Sequence, residues 1–300
     1  MAAVVLKGID IVNSLKASLA GRAAELAAHF APPKLAIVRV GERPDDIAYE
    51  RGAIKRCESL GLTCETHAFE AGISNSCFLE GFGKINADPS VHAILVFLPL
   101  PAGIDQSAVK AMIDPVKDVD CIGVANNARL FAGDASGHLP CTPAAVMEML
   151  RFNNIPIAGS SVTVVGRSPV VGKPLAMLLL AEHATVTICH TRTRDLAAEC
   201  RRADILIAAA GKAKMIRAEY VKPGAAVIDV GINVGGDGAM CGDVDYEAAS
   251  EIAGCITPVP GGVGTVTTTM LARNALNAAE SIRDEFCHAS SNNRYNKVPE

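Results

Sequence analysis

The sequence predicts an α/β protein of two successive units, the second of them doubly wound. Three observations carry that expectation. Apolar runs of strand length alternate with helix-period segments along most of the chain. The stretch Val91-His-Ala-Ile-Leu-Val-Phe-Leu98 is apolar almost throughout, as expected of a strand covered on both faces of a parallel sheet. The β-rich run Ser161-Val-Thr-Val-Val165 empties into Gly166-Arg-Ser-Pro-Val-Val-Gly-Lys-Pro174 and then into Leu-Ala-Met-Leu-Leu-Leu, a strand, a tight turn and a helix.

In chain order, Ile9 to His29 place apolar residues at helical spacing, and Pro32-Pro33 end that helix before a strand at Lys34 to Val40. Gly41 to Asp46 reads as a polar turn, and a helix from about Ala48 to Leu60 stops at Gly61. Thr63 to Phe69 is expected as a strand, Asn75 to Asn86 as a helix and Val91 to Leu98 as an interior strand, which Pro99-Leu100-Pro101 breaks. A short helix near Gln106 to Ile113 leads into Pro115 to Gly123. There charged and apolar residues alternate, which at period two sets Asp118 and Asp120 on one side and Lys117 and Val119 on the other. By its residues this segment is either a carboxylate-bearing site or a solvated loop edge.

Pro140-Cys-Thr-Pro143 opens a helix from about Ala144 to Phe152. Strands follow at Val162 to Val165, Thr185 to Cys189, Ile205 to Ala209 and Ala226 to Val230, making the doubly wound unit. Thr265 to Phe286 is a long alanine-rich helix, and Cys287 to Glu300, polar and without periodicity, is expected to be a mobile tail.

With 300 residues, half of them apolar, the chain can bury a large core, and a prior of about 150 residues per domain gives two domains. A net charge of −4 without a basic stripe argues against a nucleic-acid partner and for a small-molecule ligand. Ten scattered cysteines with no C-x-x-C pair are expected as free thiols in a reducing compartment. The apolar start at Met1 to Lys7 is too short for a signal peptide, and no stretch reaches the roughly 20 residues of a membrane span. A cytoplasmic protein without a metal site is expected.

Gly166 and Gly172 let the backbone turn sharply and approach a ligand, and the N–H groups at the helix opening are expected to be unpaired donors suited to a phosphate. Pro174 fits an early helical position, where its missing N–H costs nothing. The spacing Gly-x-Ser-x-x-x-Gly-x-Pro departs from Gly-x-Gly-x-x-Gly, so alone it marks either a nucleotide cradle or a structural turn. In NAD-binding folds an acidic residue roughly 20 positions beyond the glycines holds the ribose. Here that strand ends Cys189-His-Thr-Arg192, with no carboxylate. Arg167 and Arg192 suit a 2′-phosphate unless they are mere surface charges, so NADP is expected over NAD.

Tyr49, Leu98-Pro-Leu-Pro101, Lys117-Asp-Val-Asp120, Pro140-Cys-Thr-Pro143, Gly166-Arg-Ser168 with Gly172-Lys-Pro174, and Pro258-Val-Pro-Gly-Gly-Val-Gly264 occur together in this order. In order and spacing they closely resemble the methylenetetrahydrofolate dehydrogenase/cyclohydrolase family of one-carbon metabolism, from about residue 5 to residue 285. The resemblance implies a folate-binding domain at residues 1–142, to which 272–300 return, a Rossmann-like NADP-binding domain at 143–271, a cleft between them, and a homodimer. It implies cofactor roles for Gly166, Arg167, Ser168, Gly172, Pro174, Thr191, Arg192, Ile232 and Thr267. The substrate, a tetrahydrofolate derivative, falls to Tyr49, Leu98, Pro99, Asp120, Pro260, Gly261, Gly262 and Gly264.

Within that resemblance, Asp120 would accept from the pterin's amide N–H and amino group together, and Tyr49 would lie against the flat rings. The sequence departs from the family at two places. In bifunctional relatives a lysine four residues after the tyrosine takes part in activating water, and a glutamine before Leu-Pro-Leu tunes it. Here those positions are Ala53 and Phe97. At 100° per residue, Arg51 and Lys55 point away from the face shared by Tyr49 and Ala53. The expectation is a dehydrogenase with weak or absent cyclohydrolase activity. The rival readings are a full bifunctional dehydrogenase/cyclohydrolase, another one-carbon carrier as substrate, or a catalytically silent folate- or nucleotide-binding regulator.

Overall fold

The computed structural model describes residues 2–235 and 238–295. The chain begins β1 (Val4–Val5), α1 (Gly8–His29), β2 (Lys34–Val40), α2 (Pro44–Glu58), β3 (Thr63–Phe69), α3 (Asn75–Ala87), β4 (Ala93–Val96), α4 (Gln106–Met112) and α5 (Val124–Ala132). It continues α6 (Cys141–Phe152), β5 (Ser161–Val165), α7 (Gly172–Ala181), β6 (Thr185–Cys189), α8 (Leu196–Arg201), β7 (Ile205–Ala208) and β8 (Ala226–Asp229). It closes with β9 (Asn233–Val234), β10 (Met240–Cys241), α9 (Tyr246–Ser250), β11 (Cys255–Ile256) and α10 (Val263–Tyr295). Two compact units result. One holds Lys16–Asn127, Ser136–Leu139 and Leu271–Glu300, the other Met1–Leu15, Ala128–Ala135 and Pro140–Met270.

The first unit is built on a parallel sheet in the order β3-β2-β4, with β2 at its centre. Its core runs from Ala36 and Val38 of β2 through Ile94 and Val96 of β4 to Phe78 and Phe82 of α3. The expected interior strand at 91–98 is shorter than its apolar run and ends the strand order. Its outer edge is covered by a turn, since Ile94 N donates to Lys117 O at 2.7 Å. All four residues of β4 are buried, and a covered edge reads in sequence like an interior strand. α2 starts earlier than expected because Pro44 tolerates the first turn and Asp45 and Asp46 meet the positive end of the helix.

The second unit holds a six-stranded parallel sheet, β1-β11-β8-β7-β5-β6. From β5 the chain first adds β6 on one side and then β7 and β8 on the other. Winding therefore reverses between β5 and β7, where doubly wound sheets bind ligands at the carboxyl ends of the strands. Residues 1–15, expected in the first domain, group with this sheet, and Val4 of β1 pairs with Cys255 of β11. α10 runs on to Tyr295, so 287–295 is helix rather than tail; residues 296–300 lie outside the described residues. None of the ten cysteines forms a disulfide, and no described helix is long and apolar enough to cross a membrane.

Candidate active site

The turn after β5 is shaped by close backbone approach. Gly166 has φ +139°, and a Cβ there would stand 2.1 Å from Ala209 O, so this turn abuts the one that follows β7. A Cβ on Gly172 would stand 2.1 Å from Gly166 O. Gly166 N still donates to Cys189 O of β6 at 2.9 Å. The helix opening departs from expectation. Val171 N and Gly172 N donate to Ser168 Oγ at 3.0 and 3.4 Å, and Lys173 N donates to Ser168 O at 3.0 Å. Those amides are engaged by Ser168, whose hydroxyl acts as a cap, and are not free for a phosphate.

Arg167 is exposed, as are Thr191 and Arg192, and the pairing of Val165 with Cys189 brings their turns to adjacent strand ends. The β6 turn is drawn tight by His190 N donating to Thr193 Oγ1 and Arg192 N to His190 Nδ1. The next carboxylate, Asp195, caps α8 by accepting from Ala198 N at 3.0 Å. Ile232, just past β8, is 58% exposed, and Pro174 is buried in the first turn of α7. Thr267 sits inside α10, buried, its hydroxyl donating to Val263 O. Pro260, Gly261 and Gly264 are exposed where α10 begins. Gly261 has φ +103°, and a Cβ on buried Gly262 would meet Pro258 O at 2.5 Å. The glycines and exposed guanidinium groups therefore suit a phosphate-bearing dinucleotide, which needs close backbone approach and fixed positive charge.

In the first unit Tyr49 is half-buried on α2, its ring edge-on to Phe97 with centroids 5.7 Å apart at 72°. Ala53, one turn on, is 0% exposed, while Arg51 and Lys55 face solvent. Leu98 is half-buried and Pro99 exposed beyond a cis peptide bond. Residues 115–117 and 119–120 form turns around a single β-bridge from Asp118 to Ile94, and Asp118 is buried while Asp120 is only half-buried, so the inferred pairing of Asp118 with Asp120 fails. Asp118 is buried, and its carboxylate accepts from Ile122 N, Gly123 N and Asn126 Nδ2 at 2.9, 2.9 and 3.1 Å. Burial raises its pKa despite those bonds. Lys117 Nζ donates to Asn86 O and Asp88 O. Asp118 thus holds the turn, and half-buried Asp120 is left as the substrate-facing candidate.

Sequence reasoning missed a charged pair between β2 and α2. Arg39 Nε meets Glu50 Oε2 at 2.8 Å with both side chains 14% exposed, and Thr66 Oγ1 donates to Glu50 Oε1 at 3.1 Å. The signal was a single arginine among the apolar residues of 34–40. The pair ties α2 to β2 and β3 one residue from Tyr49. It also missed Asp229 and Asp243 in the second unit. Among the described residues no cluster of three or more His, Cys, Asp or Glu side chains could hold a metal ion.

Family models for the tetrahydrofolate dehydrogenase/cyclohydrolase catalytic domain and NAD(P)-binding domain match residues 6–120 and 140–283. Bifunctional protein FolD 1 of Desulfitobacterium hafniense (strain Y51) is 49% identical over 277 residues, 92% of this chain and 99% of the relative. The bifunctional methylenetetrahydrofolate dehydrogenase/cyclohydrolase FolD of Campylobacter jejuni superposes with a TM-score of 0.91 at 38% identity, covering 93% of this chain and 99% of that one. The Trypanosoma brucei dehydrogenase-cyclohydrolase, complexed with NADP cofactor and inhibitor, gives 0.89 at 35% identity over 94% and 98%. The chain belongs to the tetrahydrofolate dehydrogenase/cyclohydrolase family.

Proposed function

We propose that the protein oxidises 5,10-methylenetetrahydrofolate to 5,10-methenyltetrahydrofolate with NADP and hydrolyses the methenyl product weakly or not at all. Family membership supports the oxidation, and the observation that carries the restriction is the fully buried Ala53 beside the apolar Tyr49–Phe97 ring pair. The first unit takes the folate and the second the cofactor. A cytoplasmic homodimer is the matching expectation.

NADP, when bound, supplies the acceptor for the hydride that leaves the methylene carbon. The nitrogen lone pairs flanking that carbon drive the hydride out, so no side chain has to move a proton. The chain's contribution is position, which can supply several kcal/mol of the barrier (of order 7–11 at best). Tyr49 gives a ring face and a hydroxyl to the folate, Asp120 accepts from its pterin edge, and Arg167 pairs with the 2′-phosphate. Purified protein given the methylene substrate should produce methenyl absorbance with NADP more readily than with NAD. Binding of both ligands without that absorbance would leave the silent-regulator reading.

Arg167→Ala should weaken NADP binding by about 10- to 100-fold, the loss expected of a charged hydrogen-bond partner worth about 1.5–3 kcal/mol, and leave NAD binding nearly unchanged. Parallel titrations of the two nucleotides check this, and equal losses would remove Arg167 from the 2′-phosphate. Asp120→Asn keeps the side chain's size but replaces one acceptor oxygen with an NH2 group. It should raise the KM for the folate about tenfold or more and spare NADP binding. An unchanged folate KM would return Asp120 to a purely structural turn.

A further inference from the structure

Two buried carboxylates stand at the carboxyl end of the second unit's sheet. Asp229 ends β8 and is 3% exposed, and Asp243 follows β10 at 0%. Asp243 Oδ2 accepts from Ala210 N at 2.6 Å and Gly211 N at 2.8 Å. Its Oδ1 accepts from Lys212 N at 2.8 Å and Asn233 Nδ2 at 3.0 Å. Asp229 Oδ1 accepts from Gly231 N and Asp243 N at 2.9 and 3.0 Å, and its Oδ2 from Val244 N at 2.9 Å. Each carboxylate occupies room left by a glycine. A Cβ on Gly231 would stand 2.3 Å from Asp243 Cγ, and one on Gly242 would stand 1.8 Å from Asp229 Oδ2.

Neither carboxylate makes an ion pair with a described residue, so backbone amides and the Asn233 side-chain amide carry the compensation for two desolvated charges. That arrangement is costly, and burial, with a smaller contribution from the Asp243 charge, raises the Asp229 pKa to about 6. What the bonds achieve is geometric. They fix residues 210–212 after β7, directly beyond the Ala209 carbonyl that backs Gly166, and residues 231–233 after β8, which present Ile232.

We propose that Asp243, braced by Asp229, is a positioning residue for the cofactor, setting the loops after β7 and β8 at the switch point of the sheet. The proposal rests on the NADP reading. In Asp243→Asn, one acceptor oxygen is replaced by an NH2 group facing N–H donors. The expected result is a Kd for NADP weakened about tenfold or more, with faster amide exchange at residues 210–212 in the protein without added ligand and a folate KM within about twofold of wild type. Asn233→Ala, which removes one of the four bonds to Asp243, should weaken NADP by a smaller factor and decides the matter if Asp243→Asn does not fold. Val227→Ala, a core change in β8, should lower the melting temperature without altering the Kd.

Wild-type Kd and wild-type exchange in the folded variants would overturn this proposal alone, as would an equal loss of NADP binding in Val227→Ala. Failure of the wild-type protein to bind NADP would overturn the cofactor reading and this proposal with it.

Discussion

Given 5,10-methenyltetrahydrofolate directly, the protein is expected to leave it decaying close to the buffer rate, and Ala53→Lys combined with Phe97→Gln to raise the enzyme-dependent rate by about 10²–10⁴-fold. That range is the usual worth of general acid–base help to a reaction that needs it. At position 53 a methyl group is wholly buried, and Arg51 and Lys55, two residues to either side, face solvent. At 97 the ring can neither donate nor accept a hydrogen bond, and it holds Tyr49 edge-on. Hydride transfer needs neither missing group, so oxidation is expected to persist where hydrolysis is not. The double variant should lose about 0.5–1.5 kcal/mol of ring contact and bear an overpacking cost of about 1–3 kcal/mol, so its folding is to be followed beside its rate. Vigorous hydrolysis by the wild-type protein would refute the restriction and leave a full bifunctional enzyme.

Gly166→Ala is expected to abolish NADP binding and to destabilise the second unit by several kcal/mol. Two costs combine: a φ of +139° that side chains avoid, about 1–3 kcal/mol, and a Cβ driven to 2.1 Å from Ala209 O, which the abutting turn can relieve only by moving. Gly159→Ala separates them, since Gly159 has φ +76° but a Cβ there would meet nothing within 4 Å beyond its chain neighbours, leaving backbone strain alone. Thermal unfolding of both variants, with an NADP titration, reads the difference. Equal destabilisation would mean that the contact between the turns after β5 and β7 contributes nothing.

Much of this architecture is written in local pattern. β2, β3 and β6 fall where alternating or continuous apolar residues place them, and the turn at Gly166 is marked by residue type. What escaped depends on partners distant in sequence. Val4–Val5 and Cys255–Ile256 are too short to carry a period: the first is a strand only through its pairing with the second, and the second only because it lies between the first and Ala226–Val227 of β8. The Pro115–Gly123 alternation mimicked a strand because Asp118 and Lys117 are polar yet buried, each satisfied by backbone groups. Asp243 gave no sign because three of the four donors it binds are backbone amides of Ala210, Gly211 and Lys212, whose side chains take no part. The available signal was a glycine beside each acid: Gly231 two residues after Asp229, and Gly242 just before Asp243.

The pairing of Val4 with Cys255 also sets the order in which the newborn chain can become complete. The first strand to emerge during synthesis has no neighbour until almost the whole protein has been made, and the unit built on β2 likewise awaits the residues from Leu271 onward. Closing so long a loop costs little extra free energy, because the entropy grows only with the logarithm of length. The burden is temporal, since contacts between distant residues slow folding and leave apolar edges uncovered meanwhile. Neither unit is an uninterrupted length of chain, so no single cut yields two pieces that each contain everything they need to fold.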